Sequence, residues 1–289
     1  MLFALIRGVC RVLLIALAAG FLGAVLVRLG PGFGASEQEL DPRVRQATRE
    51  AIRADNSAGS NVVTYYAKWV AGIFHGDLGY SPSLKRPIAE LFRDRLPLTL
   101  RSVLAGALAG TLFALFAAIL LTTWSIKASD IITGFGSAVF LSIPTALVAI
   151  FCLWFNVNII WAIAFAVFPQ ALRYAGNILG AGARSEHVLA ARARGVRGWR
   201  VLFFHILAPV TPQIAALAGM GVILAFGASI PIEVLCDRPG IGQLAWQAAL
   251  ARDLPVLVNV TVLVAVLTAG ASTLADLAIP RRASERAQV

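Results

Sequence analysis

The side chains able to do chemistry in this 289-residue chain are few and scattered. Histidine stands only at positions 75, 187 and 205, and cysteine only at 10, 152 and 236. A metal site needs several such ligands converging on one point, and these lie in separate segments, so no metal site is expected. Three cysteines are too few for a disulfide framework, and two of them fall in apolar runs. There is no Gly-x-x-x-x-Gly-Lys-Ser/Thr loop with which to hold and hydrolyse ATP, and no local signature of a serine–histidine–acid triad. The chain is therefore expected to be non-catalytic and without a cofactor of its own, and any energy it uses must come from a partner.

Two other groups of residues could carry function. The first is Ser185-Glu-His-Val-Leu-Ala-Ala-Arg-Ala-Arg-Gly195, which reads as a short helix. Ser185 can cap its start, Glu186 suits the positive end of the helix dipole, and Gly195 can take the left-handed conformation that ends it. Val188 is apolar, and Ala190, Ala191 and Ala193 leave a face that another protein can approach closely. Arg192 and Arg194 make the segment basic, so on the residues alone a basic interfacial helix anchored to anionic lipid headgroups is the favoured reading. The second group is Ser142, Pro144 and Thr145, with Gly219 and Gly221 further along. A proline frees a backbone carbonyl, which a membrane tolerates only beside protein or a water-lined cavity. These residues could line a solute route, or they could be packing contacts where small residues let helices approach.

The elements that must position these groups follow from composition. Hydrophobic residues make up 58% of the chain and charged residues 14%, against about 25% charged in ordinary soluble domains, and mean hydropathy is +0.79. Such a chain lacks the polar surface of a water-soluble globule, and a polytopic membrane protein is the class that remains. Its net charge of +10 is what cytoplasmic loops of membrane proteins carry, so nucleic acid is not an expected partner. Six segments meet or approach the roughly 20 apolar residues needed to span a bilayer: 9–29, 98–124, 131–155, 158–172, 213–235 and 256–279. The first is read as a retained span rather than a signal peptide, because its apolar run is long and no clear cleavage site follows. The fourth is short and contains Pro169.

With both termini in the cytoplasm, the inside segments hold twelve basic residues against only Asp130, Glu186 and Glu285, as the positive-inside rule requires. Residues 30–97 form a nearly neutral segment outside, with nine basic and eight acidic residues. Within it a helix is expected over 62–74, then a loop broken by Gly76, Gly79 and Pro82, then a short helix over 87–96 that starts with proline in its first turn. The ionisable residues Arg28, Arg101, Glu233 and Asp276 fall near span ends, where interfacial anchoring is the expected role. That poverty of central charge argues against a proton-coupled secondary transporter, which would need a carboxylate deep in a span.

Several motifs, in order along the chain, resemble the permease subunit of binding-protein-dependent ABC importers, and most closely the dipeptide, oligopeptide and nickel branch. They are Glu186, Val188, Ala191-Arg192-Ala193-Arg194-Gly195 and His205-Ile206-Leu207; Gly76-Asp77-Leu78-Gly79 with Leu96-Pro97-Leu98-Thr99-Leu100; Leu141-Ser142-Ile143-Pro144; and Glu233, Arg238-Pro239-Gly240-Ile241-Gly242-Gln243-Leu244 with Arg252-Asp253-Leu254-Pro255. Departures are Leu189 in place of the wider superfamily's glutamate, His187 where an aromatic is usual, Ser272 where asparagine is frequent, and a very short loop after the third span.

The resemblance implies an all-α, type I importer permease with six transmembrane helices. It comprises a first span over 1–29, an extracytoplasmic subdomain over 30–97, and a permease core over 98–289 with a coupling loop at about 173–212. It further implies that Glu186, Val188, Ala190, Ala191, Arg192, Ala193, Arg194 and Gly195 form the helix that couples to an ATPase. The implied partners are a second homologous permease, two cytoplasmic ABC ATPase subunits that bind ATP and magnesium, an extracytoplasmic substrate-binding protein and membrane lipid. The implied setting is the bacterial inner membrane, and the implied cargo is a small peptide, with nickel or another small solute as the alternative and a secondary transporter as the more distant one.

Overall fold

The computed structural model describes residues 2–29, 62–124 and 126–278, and these are almost wholly helical. Helix α1 runs over Leu2–Leu29 and α2 over Val62–Phe74. A two-residue hairpin, β1 (Tyr80–Ser81) and β2 (Arg86–Pro87), follows, with Tyr80 opposite Pro87 in antiparallel register. Helix α3 then runs unbroken over Ile88–Trp124. Next come α4 (Ile126–Ile131), a π-helical turn over Ile132–Gly136, α5 (Ser137–Leu141) and α6 (Thr145–Trp154). Helix α7 spans Ile159–Ala183, α8 Glu186–Ala193 and α9 Gly198–Arg200, and a second π-helical stretch, Val201–Leu207, leads into α10 (Ala208–Leu235). Helices α11 (Ile241–Leu250) and α12 (Leu254–Ala278) complete the described chain.

Among the described residues, five helical stretches are long and apolar enough to cross a bilayer: Ile6–Gly23, Ile88–Trp124, Ile159–Ala183, Gly198–Leu235 and Leu254–Ala275. The expected third span is not one helix. It is a pair, Ser129–Leu141 and Thr145–Trp154, bent by 75° at a break. Pro144 holds extended backbone there (φ −60°, ψ 136°) and caps α6, because a proline after Ser142-Ile143 pushes the preceding residue out of the helical region.

The structure corrects other boundaries. The short helix expected over 87–96 and the second span are one 37-residue helix with Pro97 inside it. Pro97 costs one backbone bond, and the apolar face carrying Ile88, Leu91, Phe92 and Leu96 is continuous up to the residue before it. Helix α7 likewise runs through Pro169 and ends eleven residues beyond the expected limit of 172. Asn158 starts it by accepting a 3.0 Å bond from the Ile160 amide. The segment between α7 and α10, expected as a loop over about 173–212, lies between Ala183 and Ala208. The expected outer loop between the last two spans contains α11. The charged stretch 37–54 lies outside the described residues.

The chain divides into two compact units. One is built chiefly from residues 100–238, with the end of α12. Glycines set its helix contacts. A Cβ on Gly106 would meet the Ile163 side chain at 2.6 Å, and one on Gly110 would meet the Ala164 carbonyl oxygen at 2.6 Å, so α3 lies almost in backbone contact with α7. A Cβ on Gly176 of α7 would strike Thr133 in the π-helical turn at 2.7 Å. The inner side of α7 buries Ile163, Val167, Ala171 and Leu179 completely. The Arg184 guanidinium pairs with Asp130 at 2.6 Å.

The other unit comprises residues 6–99 and 239–269. Its apolar core is Ile88, Leu91, Ile241, Leu244, Ala248, Val256 and Val260. Around it runs a polar latch. The buried Asp253 carboxylate accepts from the Ser81 and Ser83 hydroxyls, each at 2.6 Å, from the Ser83 amide at 3.2 Å and from the Val256 amide at 3.3 Å. Asn259 donates to the Leu78 carbonyl at 3.0 Å, and Thr99 accepts from the Ile241 amide at 2.8 Å. The hairpin is thereby tied to the start of α12. Beside it Arg86 pairs with Asp94 at 2.9 Å and with Glu90 at 3.4 Å, and the Asp94 hydrogen bond foremost raises the arginine pKa above its ordinary value. In the same unit Tyr66 of α2 donates to the Leu17 carbonyl of α1 at 2.6 Å.

Candidate functional site

The segment between α7 and α10 is built from its ends inward. Ser185 starts α8, but not as the sequence leads one to expect. Its hydroxyl donates backward to the Gly182 carbonyl at 2.6 Å and makes no capping bond to α8. That carbonyl belongs to the last turn of α7, where acceptors lack helical donors. The far end behaves as expected. Gly195 has φ +74°, its amide bonds to the Arg192 carbonyl at 2.9 Å, and the Val196 amide bonds to the Ala191 carbonyl at 3.2 Å. These two bonds are the Schellman pattern, which needs a left-handed residue where glycine stands.

Helix α8 has two faces. Val188 and Ala191 are fully buried. Glu186, His187, Leu189, Ala190, Arg192, Ala193 and Arg194 are exposed, as is Gly195 after them. Leu189 is 55% exposed, an apolar side chain among exposed alanines and arginines with one glutamate and one histidine. Nearby, Arg200 stacks its guanidinium 5.3 Å from the Trp199 ring centroid. The helix is thus seated on its unit by one stripe and presents the opposite stripe outward.

The seat includes a side-chain tie. His187 Nε2 lies 3.0 Å from the His205 carbonyl oxygen in the second π-helical stretch, and 3.3 Å from the Ser185 hydroxyl. Only the carbonyl must accept, so Nε2–H donates to it.

The residues read as a candidate route fall on separate elements. Ser142, Pro144 and Thr145 lie at the break before α6. Ser142 and Pro144 are exposed, and the Ser142 hydroxyl donates to the Val139 carbonyl at 2.7 Å. Gly221 lies against α3, where a Cβ would sit 2.5 Å from Thr111 Oγ1, and Gly219 lies against Ala275 of α12. Both glycines occupy helix contacts. Glu233, expected at an interface, is only 1% exposed. An open groove of about 380 Å³ between α7 and α10 is lined by Asn177, Ile178, Ala181, Gly182, Val210 and Gln213. The amide side chains of Asn177 and Gln213, exposed on apolar helices, are the only signal in the sequence that could have marked it.

Residues 110–283, which contain α8 and the helices that hold it, match the family of binding-protein-dependent transport system inner membrane components. The chain belongs to that family. It is an all-α, multi-pass protein of the bacterial inner membrane and a permease subunit of an ABC importer. The permease is 26% identical, over 91% of its own length and 92% of the relative's, to an oligopeptide transport system permease protein of Bacillus subtilis (strain 168). It is 27% identical to a putative peptide transport system permease protein of Brucella abortus (strain 2308), over 94% of its own length and 95% of the relative's. A nickel import system permease protein of Staphylococcus aureus (strain MRSA252) is 23% identical, with 89% of the permease and 83% of that relative covered. A permease of this family works with ATPase and substrate-binding components.

Proposed function

We propose that the permease forms half of the translocation pathway of an importer for small peptides, and that α8 is the helix on which an ATPase subunit pulls. The observation that carries the second part is the two-faced seating of α8. Val188 and Ala191 fix it to the permease, while Leu189, Ala190, Arg192, Ala193 and Arg194, whose Nε donates to the Ala190 carbonyl at 3.2 Å, are exposed on the outer side. A lipid anchor would need only the charge. The Schellman end at Gly195 fixes the direction in which the chain leaves α8, so the outward face is presented in one orientation.

In this reading both termini and α8 lie in the cytoplasm, and residues 30–97 belong to an outer subdomain that faces a substrate-binding protein. A second homologous permease supplies the other half of the pathway, and two cytoplasmic ATPases bind ATP and magnesium. Nucleotide binding draws the ATPases together, α8 follows, and access alternates across the bilayer. Peptide is favoured as cargo because the oligopeptide and putative peptide permeases match over more of their own length than the nickel permease does.

The test is to express the permease with its neighbouring permease and ATPase genes, purify the complex, and compare wild type with Arg192→Glu and Gly195→Asp. Reversing charge on the outer face, or forcing a side chain into φ +74° at a cost of about 1–2 kcal/mol, is expected to release the ATPases or uncouple them at least tenfold. Wild-type behaviour of both variants overturns the assignment of α8. Uptake of a radiolabelled tripeptide, with radiolabelled nickel as the competing probe, decides the cargo.

A further inference from the structure

The sequence places prolines at 209 and 212, at the start of α10. Proline has no amide hydrogen, so the carbonyl four residues earlier loses its ordinary helical donor. Those carbonyls belong to His205 and Ala208. The Thr211 hydroxyl serves the second at 3.0 Å and also reaches the Leu207 carbonyl at 3.1 Å. The first is served by His187, from a different helix, at 3.0 Å. The backbone between Arg200 and Ala208 is wound as a π-helix, with the Ala208 amide bonded five residues back to the Phe203 carbonyl. Wide turns of this kind are frequent at functional sites, and here one forms the junction between α8 and α10.

We propose that His187 is a positioning residue: its imidazole, donating to the His205 carbonyl, locks α8 to the root of α10, so that a displacement of α8 is passed to α10 instead of being absorbed at the junction. This role of His187 rests on the reading of α8 as the ATPase-coupling helix. Without the imidazole, the apolar seat of Val188 and Ala191 is what remains among the described residues to join α8 to its unit from within the helix, and a sliding contact transmits displacement less faithfully than a directional bond. The neighbouring ties face elsewhere. Ser185 holds Gly182 at the end of α7, and Arg184 holds Asp130 near the first π-helical turn. His187 alone among these three ties reaches the element that continues into α10.

The experiment uses the assembled complex, with both permeases and both ATPases, and amide hydrogen exchange read by mass spectrometry. Nucleotide-free and vanadate-trapped states are compared for wild type, His187→Phe, His187→Ala and His187→Gln. In wild type, trapping is expected to change exchange over both 186–195 and 201–212. In the Phe and Ala variants the change over 186–195 is expected to persist while that over 201–212 falls at least threefold. Glutamine, which restores an N–H donor at similar reach, is expected to recover it. A merely structural defect would raise exchange over 201–212 in both states and leave the trapping response in place, which overturns the proposal. So does failure of glutamine to recover the response. If wild type shows no trapping response over 186–195, the coupling role of α8 fails first, and that outcome is separate from a response over 186–195 that reaches 201–212 without His187.

Discussion

At the scale of single residues, the polar groups of this protein divide into those that hold the chain together and those that face outward. Asp253 belongs to the first kind. It is 3% exposed and accepts two hydroxyl and two amide hydrogen bonds. Replacing it with alanine strands the donors of Ser81 and Ser83, and Asp253→Ala is expected to cost about 2–3 kcal/mol, read as a lower Tm of the purified chain in detergent. Ser81→Ala removes one donor of several and is expected to cost about 1 kcal/mol. Equal effects of the two would show that Asp253 is not the hub of the latch. None of this was visible in the sequence, where Arg252-Asp253-Leu254-Pro255 stood out only as a motif. Ser81 and Asp253 are 172 positions apart, and no periodicity reports a contact at that distance. Gly195 is the opposite case. A glycine just after a short helical stretch announces a left-handed end by itself, and the structure has it.

At the scale of elements, the close contact of α3 and α7 yields a paired prediction. Gly110→Ala drives a Cβ into the Ala164 carbonyl, while nothing lies within 4 Å of a Cβ on Gly227 in α10. The first is expected to destabilise by about 1–3 kcal/mol through overpacking, the second to be neutral or to gain about 0.5–1 kcal/mol from the better helix former. Thermal unfolding of the two variants, each against wild type, checks this, and a neutral Gly110→Ala would refute the near-backbone contact. Helix existence was legible because apolar length is a strong signal in a membrane protein. Helix ends were not, because prolines that stop helices in water do not stop α3 at Pro97 or α7 at Pro169. In a bilayer, leaving the helix exposes many more backbone groups than a proline frees. Helix α11 was missed because it is short and sits in a stretch whose charges balance, although Ile241, Leu244 and Ala248 have helical spacing and all face the core.

At the scale of the whole molecule, orientation is open to direct test. With native cysteines replaced, a single cysteine at Val157 is expected to react with an impermeant maleimide from outside intact spheroplasts, and one at Arg197 only from the cytoplasmic side of inverted vesicles. The reverse pattern would overturn the orientation read from loop charge. The class of protein, the existence of most of its long apolar helices and α8 were readable from composition, apolar length and an ordered set of motifs. The bend in the third span was not, since Ser142-Ile143-Pro144 is as compatible with a mild kink as with the 75° break observed. That break also bears on how a cell must supply the protein. Irregular backbone with exposed Ser142, Ile143 and Pro144 is tolerated at membrane depth only where protein covers it or a water-lined cavity meets it. If the second permease proposed above supplies that cover, a copy without it carries a standing mark of incompleteness inside the lipid, open to membrane proteases. Its abundance would then be set by the scarcer companion, whatever the rate at which its own message is translated.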